Sequence, residues 1–325
     1  MLNEQSNRSG GSGRIAEQEV PLAHVKATIR QLMYNFSMEV TTAEARRVES
    51  FRAHVRQGTE IYIAATPSTL PQDVIHLARR LSAEGLNPVP HVVARAIADV
   101  AAFDRWLNRL VREAGVRAIL IVAGGQKGAP LGPYASSLEV IREGFLSHHG
   151  IKDVRFAGHP EGHSHMDGKS QIEALQEKQG EAERLGIRAS LVTQFFFAAE
   201  PFIRWEMDLQ RQNINMPVRI GLHGLSSMAD LVRHAVQCGV GPSFQFLMQR
   251  RANWRGLSHM TAPDQLMHNL IMTSTDFAIK RITGCHFFPF GNLPGTAAWA
   301  NAVVEGRFTI APDGVFTIDE TTRGA

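Results

Sequence analysis

The chain reads as an α/β protein, a (β/α)8 TIM barrel in one domain preceded by a flexible arm. Three observations predict it. Eight short apolar, β-branched runs alternate with segments of helical period. The alternation extends over roughly 250 residues, the usual size of such a barrel. No Gly-x-Gly-x-x-Gly follows the first run, which counts against the competing architecture, an open doubly wound sheet that binds a dinucleotide.

Residues 1–20 are polar and carry Arg8-Ser9-Gly10-Gly11-Ser12-Gly13, too little apolar surface to order a segment, so they are expected to form the arm. Residues 21–300 are assigned to the barrel. Its strands are expected at Phe36–Val40, Glu60–Ala65, Pro88–Val93, Ala118–Val122, Val154–Ala157, Ala189–Phe195, Pro217–Gly221 and Gly284–Phe290. Helical period marks Pro71–Glu84, Val100–Ala114, Gln171–Leu185, Met228–Gln237 and Asp264–Ile282. Gly85, Gly115, Gly186 and Gly239 stand where those helices should stop. Residues 301–325 read as a C-terminal tail, with a hairpin around Pro312-Asp313-Gly314.

Composition removes several classes of function. The 325 residues are 44% hydrophobic and 20% charged, an ordinary globular balance. A net charge of +3 without a long Lys/Arg run gives no footprint for nucleic acid. No apolar run of about 18 residues is present, so no membrane span is expected. Cys238 and Cys285 are too few and too far apart for a disulfide framework or a Cys-x-x-Cys metal site. A reducing, cytoplasmic setting follows as the simplest expectation.

In a barrel the chemistry sits at the C-terminal ends of the strands. The first strand offers Glu39 in Ser37-Met38-Glu39-Val40. Burial would raise its pKa and suit a general acid, or the carboxylate would serve a structural ion pair. The third strand carries Pro90-His91. The fourth ends in Gly124-Gly125-Gln126-Lys127, where bare backbone lets a ligand approach closely. The fifth ends in His159-Pro160-Glu161-Gly162-His163-Ser164-His165. Its three histidines invite a metal reading, but the spacing is not that of a zinc helix, and no metal is assigned. The sixth ends in Thr193-Gln194-Phe195-Phe196-Phe197. An uncharged amide there needs a hydrogen-bonding partner, either the edge of a heterocyclic ligand or neighbouring backbone. Phe196 and its neighbours would give flat contact to the ligand or simply fill the core. The seventh ends in His223-Gly224 and the eighth carries His286-Phe287-Phe288. Such a mouth, rich in amide, imidazole, glycine and aromatic groups, suits a flat polar-edged cofactor better than a bare divalent ion.

These motifs, in this order, resemble the methylenetetrahydrofolate reductase family, in particular its short bacterial members that consist of the catalytic domain alone. Thr193-Gln194-Phe195 is similar to the family's Thr-Gln-Phe signature, Ser37-Met38-Glu39 to its first-strand glutamate motif, Pro90-His91 to its Pro-His, and His159-Pro160-Glu161-Gly162-His163 to its Tyr-Pro-Glu-x-His loop. The resemblance implies FAD as cofactor and NADH or NADPH as co-substrate. It implies a tetrahydrofolate derivative as partner, with 5,10-methylenetetrahydrofolate reduced to 5-methyltetrahydrofolate in a ping-pong sequence. By the same resemblance Glu39 is the acid. Gln194, Phe196 and His223 contact folate, while His91, Gly124, Gly125, Gln126, His159, Glu161 and His163 line the flavin. Members commonly assemble, so a homo-oligomer is implied. The chain departs from the family at Gly124-Gly125-Gln126, where Arg-Gly-Asp is usual, at His159 for Tyr, and at Ala198 for an acid. Losing an acid at 126 removes negative charge that would tune a flavin and steady a cationic folate. Three alternatives stay open: direct hydride transfer without flavin, a metal-dependent hydrolase, and a folate-binding partner without catalysis.

Overall fold

The computed structural model describes residues 21–125, 128–163, 166–238, 260–273 and 281–319. Eight parallel strands close a barrel: β1 (Ser37–Thr41), β2 (Glu60–Ala64), β3 (Asn87–Val93), β4 (Ala118–Val122), β5 (Asp153–Gly158), β6 (Arg188–Phe195), β7 (Val218–His223) and β8 (Ile282–Phe288). Each pairs with its sequence neighbours, and β1 closes on β8 through Ser37 opposite His286 and Met38 opposite Phe287. The expected (β/α)8 fold is the one observed.

An outer layer of helices covers the strands: α1 (Leu22–Met33), α2 (Pro71–Ala83), α3 (Val100–Ala114), α4 (Gly168–Arg184), α5 (Ala199–Arg211), α6 (Met228–Cys238), α7 (Asp264–Thr273) and α8 (Leu293–Glu305). The connection after β1 holds only two short turns, Thr42–Ala45 and the 3-10 turn Phe51–Ala53; the first is started by a capping box in which Thr41 and Glu44 satisfy each other's backbone N–H groups. α3 shows how the sequence bounds a helix. Asp99 accepts from the N–H of Ala102 at 2.7 Å, and Gly115 closes the helix at φ 62°. Its buried face is Phe103, Leu107, Leu110 and Ala114, a run at helical spacing. Gly239 and residues 274–280 lie outside the described residues, so the expected helix Asp264–Ile282 is seen only as far as Thr273, and β8 already begins at Ile282.

The expected border between barrel and tail falls inside a helix. α8 continues through Ala302 and Val304, whose apolar faces pack inward, and stops at Gly306 with φ 80°. Beyond it Phe308–Ile310 and Phe316–Ile318 form the antiparallel hairpin expected around Pro312-Asp313-Gly314. Phe316 stacks on Trp299 of α8 and so ties the hairpin to the domain. The proposed N-terminal arm, residues 1–20, lies outside the described residues. No helix among the described residues is long and apolar enough to cross a membrane.

Two apolar layers hold the barrel. The larger lies between strands and helices and includes Ile61, Ile63, Ile119, Ile121, Val154 and Phe156. The smaller fills the barrel interior with Tyr62, Val89, Ala118, Leu120 and Val192. Side chains alternate along a strand, so every second residue points inward. On β2 this puts Glu60 below Tyr62, and a charged floor results. Arg155 meets Glu60 at 2.6 Å, Arg219 meets it at 3.5 Å, and Tyr62 donates to it at 3.4 Å. Burial inside this ring pushes the Tyr62 phenol up to about 12.

Candidate active site

The mouth at the C-terminal ends of the strands is built by the same alternation. On β1, Ser37, Glu39 and Thr41 share the inner face, and Glu39 stands two residues above Ser37. Its Oε2 lies 3.3 Å from His91 Nε2 on β3 and 3.9 Å from His286 Nε2 on β8. Burial pushes the Glu39 carboxyl above its ordinary range, opposed by His91 and assisted by Glu44. The same burial lowers His91, with Glu39 opposing, and lowers His286 to about 3, assisted by Arg219. Burial thus favours the neutral form of the carboxyl and of the two imidazoles beside it. The approach of His91 is close but not aligned for hydrogen bonding, so its buried Nε2 has no hydrogen-bond partner.

The sixth strand departs from regular pairing where Gln194 sits. Val192 pairs with Arg219, but Phe195 pairs with Gly221, so β6 carries one extra residue. This is a bulge, the device that re-aims side chains near sites. Thr193 compensates for the broken ladder: its Oγ1 accepts from the N–H of Gly221 at 2.8 Å. Gly221 has to be bare there, because a Cβ would lie 2.2 Å from the Thr193 carbonyl oxygen. Gln194 turns its Oε1 back to accept from the N–H of Phe195 at 3.1 Å. Its amide nitrogen is thereby oriented by the chain itself.

The bulge also corrects the expectation for Phe196. Strict alternation from Val192 would bring Phe196 to the mouth. The extra residue instead turns Phe195 toward the mouth and Phe196 outward. Phe196 is fully buried and stacks on Phe202 of α5, 5.4 Å away between ring centres. It is part of the layer between strands and helices and not a ligand contact. Phe195 takes the place expected of it, grouped with Phe197, Phe288 and Phe290.

The remaining expected residues fall around the same rim. His223 is buried; its Nδ1 bonds the Gly224 carbonyl at 2.9 Å, its ring lies 5.6 Å from Phe197, and burial lowers it to about 4. Gly124 adopts φ 101° against β3, where a Cβ would lie 2.6 Å from Val93 Cγ1, and Gly125 beside it has open space. His159 and His163 meet edge to face at 4.7 Å, and burial lowers His159 to about 4. Glu161 lies between them in the same loop. Gln126, Lys127, Ser164 and His165 lie outside the described residues. Among the described residues no group of three or more His, Cys, Asp or Glu side chains could hold a metal ion.

Sequence reasoning missed three features. The pairing of Ser37 with His286, at 2.9 Å, depends on which strands close the barrel. His234 of α6 stacks on Phe290 at 4.0 Å, and Phe290 holds the positive φ of 48° that aims its ring at this wall. Lys178 of α4 lies over Phe156 at 5.4 Å and is lowered to about 8 by burial beside His159. Its charge within the helical segment Gln171–Leu185 was the signal in the sequence. A cleft of about 960 Å³ opens at the far end of the barrel, lined by residues such as His76, Arg79 and Asn87. It lies at the face that barrel enzymes use for stability rather than chemistry.

Comparison with known proteins places this mouth in a context. The fold matches an uncharacterised protein from Clostridium thermocellum, described as binding two copies of 5-methyl-5,6,7,8-tetrahydrofolic acid. The TM-score is 0.56 at 12% identity, covering 85% of this chain and 99% of that one. A 2,3-dimethylmalate lyase of the PEP mutase/isocitrate lyase superfamily gives a TM-score of 0.44 at 13% identity, covering 86% of each chain. The family model for methylenetetrahydrofolate reductase matches residues 54–249, from the approach to β2 to beyond α6. The strands that carry Glu39 and His286 lie outside that match and complete the same barrel. More than half of the chain is matched, and the chain belongs to the methylenetetrahydrofolate reductase family.

Proposed function

We propose that this chain reduces 5,10-methylenetetrahydrofolate to 5-methyltetrahydrofolate, with NADH or NADPH as the source of hydride. The observation that carries the reading is Glu39, a carboxyl driven toward its neutral form at the barrel mouth. Membership of the family supports it. So does the folate bound by a Clostridium thermocellum protein of like fold.

The chemistry asks for such a group. The substrate's methylene carbon is held by two nitrogens in a five-membered ring. Neutral Glu39 gives its proton to one of them, that carbon–nitrogen bond breaks, and the carbon remains on the other nitrogen as an iminium. Hydride adds to this carbon and completes the methyl group. Glu39, left as a carboxylate, recovers a proton from solvent, so one hydride and one proton are consumed in each turnover. Gln194 binds the pterin edge through its oriented amide, and half-buried Phe197, backed by Phe195, offers flat contact.

FAD, when bound, would carry the two electrons from nicotinamide to folate. The donor set fits a flat heterocycle. His91 Nε2 is buried without a hydrogen-bond partner, and Gly125, after the neighbouring strand β4, has open space around its backbone. His91, Gly124, Gly125, His159, Glu161 and His163 would hold the flavin.

An absorbance spectrum of the purified protein, before and after anaerobic NAD(P)H, tests this. Flavin bands that bleach with NAD(P)H and recover with methylenetetrahydrofolate are expected. Turnover with no flavin bands, even after adding FAD, would replace the flavin by direct hydride transfer. Folate binding without turnover under any reductant would overturn the reductase.

A further inference from the structure

We propose that Glu44 is the second carboxylate of the site: anchored at the rim above Glu39, it supplies the negative charge that steadies the folate cation formed when Glu39 gives up its proton. The inference rests on the reduction proposed above and deepens it. Its geometry begins at the end of β1. Thr41 lies two residues beyond Glu39 on the same inward phase, about 7 Å farther up the strand. Glu44 Oε2 accepts from the Thr41 N–H at 2.9 Å and from the Thr41 hydroxyl at 2.8 Å, so one oxygen is pinned to the strand end. The other, Oε1, makes no hydrogen bond among the described residues. It lies 3.8 Å from where a Cβ of Gly291 would stand, next to Phe290 in the loop after β8.

Among the described residues no cation pairs with this carboxylate. Arg46, two residues on, turns to Asp73 of α2 at 3.5 Å. Arg80 of α2 serves the Ala45 carbonyl and Glu84, each at 3.0 Å. His234 of α6 feels Glu44, but burial and Arg233 hold its imidazole below its ordinary range, so above that range it brings no charge. Around Glu39 the titratable neighbours are His91 and His286, both favoured neutral by burial. Glu44 is thus the charge that the mouth retains on this side.

Two acids in one mouth are sorted into different tasks by their surroundings. Burial makes Glu39 a proton donor, and the Thr41 donors hold Glu44 as an anchored anion. When the proton passes to the substrate nitrogen, that carbon–nitrogen bond breaks and the positive charge stays on the iminium. A carboxylate already fixed above the acid favours this cation without reorganising. Hydride then cancels the charge, so Glu44 neither gains nor loses a proton in a turnover.

The test is Glu44→Gln in the full chain. A glutamine oxygen can still accept from Thr41 and close the capping box, so the fold is kept while the charge is lost. The probe is 5,10-methenyltetrahydrofolate, a stable folate cation, with 5-methyltetrahydrofolate, whose ring system is uncharged, as reference. Both affinities are read by calorimetry at about pH 6. The variant should bind the cation about tenfold more weakly and the reference within about twofold of the wild type. In turnover the same factor should fall on kcat, with KM for methylenetetrahydrofolate little changed. An equal loss for both ligands, or no loss for the cation, would overturn the inference. A second measurement needs no variant: the wild-type preference for the cation over the reference should fall severalfold between about 0.05 M and about 1 M salt, and a preference indifferent to salt would also overturn it. If neither folate binds, the inference falls together with the reductase proposal. If the cation preference depends on Glu44 in a protein that reduces no folate, the charge assigned to Glu44 stands and only the reaction falls.

Discussion

Replacing Glu39 by glutamine removes the acid and almost nothing else. The side chain keeps its length and shape, so packing against His91 and His286 is retained. What disappears is a donated proton. General acids contribute about 10²–10⁴-fold, which corresponds to roughly 3–5 kcal/mol of transition-state stabilisation. Glu39→Gln should therefore reduce methylenetetrahydrofolate about 10²–10⁴-fold more slowly, while its affinity for folate and its oxidation of NAD(P)H by an artificial acceptor change little. The wild-type rate should fall as pH rises through the elevated pKa of Glu39, and this basic limb should vanish from the residual activity of the variant. Stability should follow the same course with pH. A carboxyl whose folded pKa lies above its ordinary value of 4.5 favours the fold fully below that pH, and the contribution is lost as pH rises through the folded value. At about pH 8 the variant should melt no lower than the wild type. Stopped-flow turnover and thermal melts over pH check both. A loss smaller than tenfold, or an equal loss in NAD(P)H oxidation, would refute the role given to Glu39.

Other consequences follow from the packing. Thr193→Val leaves the Gly221 N–H without its side-chain acceptor and should cost about 1–3 kcal/mol in urea unfolding, whereas Thr193→Ser should restore most of it. Gly221→Ala forces a Cβ into the bulge of β6 and should destabilise by about 1–3 kcal/mol while weakening folate binding through Gln194; unchanged folate affinity would separate Gln194 from the substrate. Glu60→Gln removes the carboxylate that Arg155 and Arg219 share, leaving Arg155 only Asp153 at 3.8 Å, and a loss of about 3 kcal/mol is expected by chemical denaturation. His159, His223 and His286 are held near 4, 4 and 3 against an ordinary 6.5. The unfolded chain takes up their protons first, so stability present above pH 6.5 should drain away as pH falls through those values. His223→Gln should flatten the acid limb by about 1.4 kcal/mol per pH unit, read from melts across that range.

The barrel was legible because buried parallel strands and amphipathic helices write different periods into the chain. Glu39, His91 and His223 reach the mouth for the same reason: each lies at or above the middle of its strand on the inward phase. The failure at Phe196 came from a register feature. Phe195-Phe196-Phe197 is apolar on both faces, so its period cannot say which ring turns inward, and the extra residue in β6 decided it. The Ser37–His286 pair was hidden differently. Its partners stand at opposite ends of the chain and meet only when the barrel closes. The floor left a trace that went unread: Glu60, Arg155 and Arg219 are charges inside otherwise apolar strands, all on the inward phase. The border drawn after residue 300 falls inside α8, whose apolar run continues past Ala300 to the cap at Gly306.

The most direct measurement is product analysis. The purified protein is incubated without oxygen with 5,10-methylenetetrahydrofolate and NADH or NADPH, with and without added FAD, and the folates are separated and weighed by mass spectrometry. The account predicts 5-methyltetrahydrofolate formed by the wild-type chain over many turnovers and nearly none from Glu39→Gln in the same time. No methyl product from the wild-type chain under any of these conditions, or equal product from both chains, would contradict it.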